Sequence, residues 1–235
     1  MFMPFAYWYD PTWLILIPAV ILAIYAQVRV SSTFNRYSQI MSERGFTAAE
    51  VASHMLRHHG LGDVPVEMAQ GRLTDHYDPK KRVLRLSQST FSSSSVAALG
   101  VAAHEVGHAI QHQQGYTPMK VRTALVPLAN IGTYAAFPLL ILGLILQLVG
   151  LVYVGIGVFA LAVLFQLVTL PVEYDASRRA RTLLQDGGYL TVQETADARK
   201  VLSAAALTYL AATLMSLLQL LRFILLAGAM GRRRD

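Results

Sequence analysis

The sequence predicts a mostly α-helical membrane protein, a transmembrane helical bundle joined to one small α+β domain. Three observations lead there. The 235 residues are 54% hydrophobic and only 14% charged, too apolar for an ordinary soluble domain. Four stretches, Thr12 to Val28, Thr123 to Val149, Leu151 to Leu170 and Val201 to about Leu221, approach the roughly 20 residues that cross a hydrocarbon core, the first being a little short. One long polar segment, Arg29 to Arg122, separates the first two and mixes helical with alternating patterns.

The chain therefore divides into a membrane anchor helix over 1–28, a polar region over 29–122, a transmembrane hairpin over 123–170, a further helix over 171–200, and a C-terminal transmembrane segment with a basic tail over 201–235. The N-terminus has no basic residue ahead of its apolar stretch and no small-residue cleavage site, so it reads as a retained anchor. Phe5, Tyr7, Trp8, Tyr9 and Trp13 cluster at its start, as aromatic residues do at a membrane interface. In the polar region, Thr47 and Glu50 form a capping-box pattern that starts a helix running to about His59, with Gly60 as its stop. Val64 to Met68 and Arg82 to Ser87 alternate as short strands do, around a turn-rich segment containing Asp78 and Pro79. Ser92 to Ser95 offer N-caps for a helix over Val96 to Ile110.

That last helix carries the most informative residues, His104, Glu105, Val106, Gly107 and His108. Residues four apart on a helix lie one above the other, so both imidazoles reach a single metal ion. This is the HExxH arrangement of a zinc peptidase, which makes the α+β region a zincin-like catalytic domain with one Zn2+ ion. Zinc brings the pKa of a bound water towards about 7, and Glu105 is the residue placed to take its proton as the water attacks a peptide carbonyl.

A catalytic zinc takes three protein ligands and keeps one position open, so a third ligand comes from elsewhere. The second and third apolar stretches meet at a tight turn near Gly150 and make a hairpin, whose two crossings return the chain to the side of His104. Glu173 is the first carboxylate there, with Asp175 as a competitor. His112 continues the stripe of His104 and His108, but one straight helix does not easily wrap three ligands around a tetrahedral ion. Gln111 and Gln114 also occupy the Gly and His positions of the longer HExxHxxGxxH signature. A role beside the site or at the helix end suits His112 better. His76 and Tyr77 are candidates to stabilise an oxyanion or to serve as turn residues, the second being favoured. His54, His58 and His59 read as an exposed helix face. Leu84 to Ser87 is a candidate edge for pairing with an extended substrate.

The run AAHEVGHAIQH around His104, LTDHYDP at Leu73 to Pro79 and PVEYDASRRA at Pro171 to Ala180 together resemble the YugP-type neutral zinc metallopeptidases of bacterial membranes. The resemblance covers most of the chain from about Phe46 to Ala180. These proteins are in turn similar to the HtpX-like membrane peptidases, which hold zinc with HExxH and a later glutamate in an ExxxD pattern. The resemblance implies His104, His108 and Glu173 as metal ligands and Glu105 as catalytic base. Where ExxxD places its aspartate this chain has Ser177, so either Ser177 or Asp175 is left to orient a ligand histidine.

Eleven Lys and Arg between Arg29 and Arg122, and five between Arg178 and Lys200, favour a cytoplasmic active site in a multi-pass cell-membrane protein. Arg232, Arg233 and Arg234 run against that rule if the last stretch crosses fully. The net charge of +6 is accounted for by residues flanking the membrane and implies no nucleic acid. Cysteine is absent, which excludes disulfides and thiolate metal sites. The partners are thus the lipid bilayer and a protein or peptide substrate. Gly143, Gly150, Gly155 and Gly157 suit helix packing within one chain or in an oligomer equally. The expected function is a membrane-embedded zinc endopeptidase acting on membrane or membrane-adjacent proteins. A noncatalytic zinc-binding scaffold is the alternative, which the presence of Glu105 disfavours. A transporter would carry ionisable residues within its spans, and Arg222 is the only one, near an end.

Overall fold

A computed structural model of the chain describes residues 11–71 and 73–231. Phe5, Tyr7, Trp8, Tyr9 and the Arg232 to Arg234 tail lie outside the described residues. A short 3-10 turn, Pro11–Leu16, leads into α1 (Ile17–Tyr37). Then come α2 (Ala48–His58), strands β1 (Val66–Ala69), β2 (His76–Asp78) and β3 (Val83–Ser87), and the short α3 (Gln88–Phe91). The remainder is α4 (Val96–Gln113), α5 (Thr117–Ile145), α6 (Val149–Asp186) and α7 (Val192–Gly231). Four helical segments are long and apolar enough to cross a membrane: Pro11–Tyr37, Thr117–Ile145, Val149–Asp186 and Val192–Met230.

By contact the described residues form two compact units, one of 11–25 with Arg122–Val168 and 209–231, the other of Ala26–Val121 with Thr169–Thr208. In the first, side chains of α5, α6 and α7 pack around Leu140, Val152, Val163 and Ala227. Phe137, Phe159 and Phe223 meet edge to face at its centre, with ring centroids 5.2 to 6.2 Å apart. Glycines allow this approach: a Cβ on Gly132 would stand 2.8 Å from the Val158 carbonyl oxygen, and one on Gly143 2.7 Å from Val152. Gly150 and Gly157 have open space instead. Arg222 donates to the Thr12 hydroxyl at 3.2 Å. The turn between α5 and α6 is centred on Gln147, at φ 56, and Gly150 already lies inside α6, so the expected turn falls three residues early in the chain. Gln147 was overlooked because its left-handed backbone is one that glycine usually supplies.

The second unit is α+β. Helix α2 starts as expected: the Thr47 hydroxyl accepts from the Glu50 N–H while the Glu50 carboxylate accepts from the Thr47 N–H at 2.8 Å. Its end is also where the sequence puts it, with Gly60 at φ +71 just past the His59 C-cap. Ser95 caps α4 by accepting from the Ala98 N–H. Val51, Met55 and Leu56 of α2 bury against Leu99, Ala102 and Val106 of α4, with Leu84 and Leu86 of β3 and Leu184 of α6 completing the core.

Two expectations about the strands are corrected. The sheet has three strands in the order β1-β3-β2, β1 parallel and β2 antiparallel to β3. Leu84 to Ser87 is therefore central and paired, not an edge. His76 and Tyr77 belong to β2, an edge strand, rather than to a turn; the turn follows them. There the Asp78 side chain accepts from the Lys80 and Lys81 N–H groups and reverses the chain into β3. The helix over 171–200 is two pieces: α6 runs through Pro171 to Asp186, Gly188 turns at φ +64, and α7 begins at Val192.

Candidate metal centre

Helix α4 presents His104 and His108 on one face, one turn apart, their rings edge to face with centroids 4.7 Å apart. Glu173 comes from α6. Its Oε2 stands 3.2 Å from His104 Nε2 and 3.5 Å from His108 Nε2. Ligand atoms about 2.0–2.2 Å from a tetrahedral zinc lie roughly 3.4 Å from one another, close to the two separations of Glu173 from the histidines. Among the described residues, His104, His108 and Glu173 form the one group of three or more histidines and carboxylates close enough to hold a metal, with donor atoms all within 4.8 Å of one another. The donor set, two imidazoles and one carboxylate, is one that zinc uses in catalytic sites. Glu173 is 3% exposed and His108 7%, which leaves little water to compete for them.

The orientation of each imidazole is set by its other nitrogen. His108 Nδ1 meets Gln111 Oε1 at 3.0 Å. Gln111 is fully buried, and its Nε2 donates to the Val172 carbonyl at 2.8 Å and to Asp175 Oδ2 at 2.9 Å. Since those two partners are acceptors, the amide oxygen must face His108, and His108 must carry its proton on Nδ1. Its Nε2, the nitrogen left for a metal, then faces Glu173. His104 Nδ1 lies 3.2 Å from the Ser177 hydroxyl, which can accept in the same way. Ser177 and Asp175 thus divide the orienting task, Ser177 directly on His104 and Asp175 through Gln111 on His108. Asp175 is also held by Arg178 and Arg179, the latter at 2.6 Å, and lies outside the metal-binding group.

Glu105 is 8% exposed and follows His104 in sequence but is not part of the candidate metal-binding group. Its Oε2 accepts from the Tyr77 N–H at 2.9 Å, so edge strand β2 fixes the carboxylate. The Tyr77 phenol meets His112 Nδ1 at 2.9 Å, which occupies His112 away from the metal group. Burial pushes the phenol's pKa above its ordinary value, so it keeps its proton at neutral pH. His76 is exposed and its Nδ1 turns back to the Thr74 carbonyl at 2.8 Å. His54 and His58 are exposed on α2, and His54 Nδ1 lies 2.6 Å from the Tyr189 hydroxyl. Sequence reasoning passed over Gln111, noted only as a departure from a longer motif, and weighed Tyr77 as an oxyanion stabiliser or a turn residue without its tie to Glu105. A glutamine three residues after the second histidine, on the same helix face, was the available signal for the first.

Glycine at position 107 lets α4 reach α6. A Cβ there would stand 2.8 Å from the Ala176 carbonyl oxygen, closer than real Cβ contacts come. A cavity of about 740 Å³ beside α2, lined by Phe46, His54, Phe91 and Tyr189, includes none of the metal-centre residues.

A chain with helices able to cross a bilayer and a buried two-histidine, one-carboxylate cluster is, as a class, a membrane protein with a candidate metal centre. A family model described as "Putative neutral zinc metallopeptidase" matches residues 12–228, and the chain belongs to that family. It is also 47% identical, over 211 residues, to the "Putative membrane protease YugP" of Bacillus subtilis (strain 168), covering 89% of this chain and 93% of that protein. No solved structure gives a significant match.

Two outcomes are expected. Gly107→Ala should weaken metal binding, measured by competition with a chelator, because the helices must part where the ligands meet. Gly100→Ala should not, since its Cβ would meet Ala198 at an ordinary 3.4 Å. Gln111→Ala should lower metal affinity by about 10–100-fold, with the helical circular dichroism unchanged, because His108 loses the acceptor that fixes its tautomer.

Proposed function

We propose that the protein is a membrane-embedded zinc-dependent endopeptidase, which hydrolyses peptide bonds of membrane or membrane-adjacent proteins with Glu105 as general base. The observation that carries this reading is the meeting of His104, His108 and Glu173 beside a buried carboxylate that is not one of them. A site meant only to hold metal has no use for Glu105. Zinc held by the three ligands would polarise the substrate carbonyl and acidify water at the open position. Glu105 would take the proton from that water and return it to the departing amine. The Tyr77 N–H, donating to Oε2, aims the Glu105 carboxylate. Extended substrate would pair along β2, which among the described residues has no strand on its far side, rather than along β3. Ser177 and the Gln111–Asp175 pair would hold the imidazoles in the ligand orientation.

Glu105→Gln should reduce proteolysis by about 10²–10⁴-fold while zinc stays bound, because the residue moves protons and is not a ligand. Glu173→Ala should lower zinc content and proteolysis together, and His112→Ala should leave zinc largely in place. Metal analysis beside a cleavage assay checks all three, and near wild-type turnover by zinc-loaded Glu105→Gln would refute the mechanism. Comparing membrane proteomes with and without Glu105→Gln would name the substrates.

The active site is assigned to the cytoplasmic side, which the basic residues on Arg29 to Arg122 and Arg178 to Lys200 support. The chain contains no cysteine, so a single His58→Cys, exposed on α2, gives a clean probe. In intact cells it should resist a membrane-impermeant thiol reagent and react after permeabilisation; reaction in sealed cells would mean the opposite orientation.

A further inference from the structure

A second site lies on the other face of α6. Where the residues of α6 just after Glu173 run beside the first turns of α7, a groove of about 230 Å³ opens. One end is basic: Arg178 and Arg181 from α6 and Arg199 from α7 all line it. Arg178 is paired with Asp175, but a guanidinium has five N–H donors and this side chain is 70% exposed, so donors remain. Arg181 and Arg199 have no carboxylate within ion-pair distance among the described residues. The other end is apolar, formed by Leu202, Ala206 and Leu207, the residues with which α7 enters its apolar stretch. Hydroxyls of Ser177 and Ser203 lie between.

Two guanidiniums with no carboxylate partner among the described residues line one groove and suit an anion, and their planar forks match phosphate oxygens. A free anion would leave the Leu202–Leu207 end unused. An amphiphile fills both ends, with its phosphate on the arginines and its chain along α7. We propose that this groove binds the headgroup of an anionic phospholipid, one molecule per chain. The position supports that occupant over an acidic peptide, because basic residues at the edge of a membrane-crossing helix meet anionic lipid headgroups at about that depth. Ser177 lines the groove and also touches His104, so the bound lipid would sit one residue away from a metal ligand. The binding claim does not depend on peptidase activity, and its test needs no substrate.

The full chain, purified in a neutral detergent, is titrated with phosphatidylglycerol or phosphatidylcholine and examined by native mass spectrometry. One phosphatidylglycerol per chain should be retained, and phosphatidylcholine should not. Arg181→Gln/Arg199→Gln should weaken retention by roughly tenfold or more, as loss of charge-assisted hydrogen bonds requires. Arg57→Gln/Arg82→Gln, which removes the same charge elsewhere, should leave it unchanged; equal loss in both double variants would overturn the groove in favour of general electrostatics. Millimolar inorganic phosphate should not displace the lipid, and full displacement would make this a free-phosphate site. Should the arginine variant fail to fold, Ala206→Trp, which fills the apolar end and removes no charge, must abolish retention. Retention by a folded Ala206→Trp protein, or equal retention of both lipids, overturns the proposal.

Discussion

Everything at the metal centre depends on how closely α4 lies against α6. The two imidazoles are local, one turn apart on a single helix, but the carboxylate arrives from a helix that begins 41 residues after His108. Only a glycine at 107 permits the Ala176 carbonyl to approach as it does, and Glu173 and Ser177 flank that contact on α6. Glu173 stands 3.2 and 3.5 Å from the two histidines. The second variable position of the HExxH motif thus limits how closely the candidate ligands approach, although it contributes no donor.

Around that contact each polar group is matched. A buried carboxylate against two imidazoles is costly unless hydrogen bonds or a metal compensate it, and the same holds for a fully buried glutamine amide. Gln111 meets the second requirement by accepting from His108 and donating to the Val172 carbonyl and Asp175. Asp175 is in turn balanced by Arg178 and Arg179. The orientation of His108 therefore extends, through an amide and a carboxylate, to arginines at the surface.

What could be read from the sequence was what local rules decide. The capping box at Thr47 and Glu50, the serine cap of α4 and the helical spacing of His104 and His108 each depend on neighbours within a few residues, and each appears in the structure where the sequence places it; the four apolar stretches lie within or across longer helices whose ends they did not mark. Grouping Glu173 with the histidines needed the even number of apolar stretches between them and the family resemblance. The rest depended on partners far away in the chain. Strand β2 is three residues long and has no alternating apolar pattern; it exists because β3 pairs with it and Glu105 accepts from its backbone. The central position of β3 is a property of strand order, which alternation within one strand does not encode. Gln111 looks like any polar helix residue until Val172 and Asp175 are set beside it.

Glu173 and Ser177 ride on a helix that runs without a break from Val149, through one of the stretches apolar enough to cross a bilayer. A residue inserted in a helix advances everything after it by about 1.5 Å and turns it by about 100°. One extra residue between Glu173 and Ser177 would therefore carry the Ser177 hydroxyl about 100° away from the carboxylate's face, whereas three or four would nearly restore it. The two groups of α6 that meet His104 are in effect free to separate only by whole turns of about 5.4 Å.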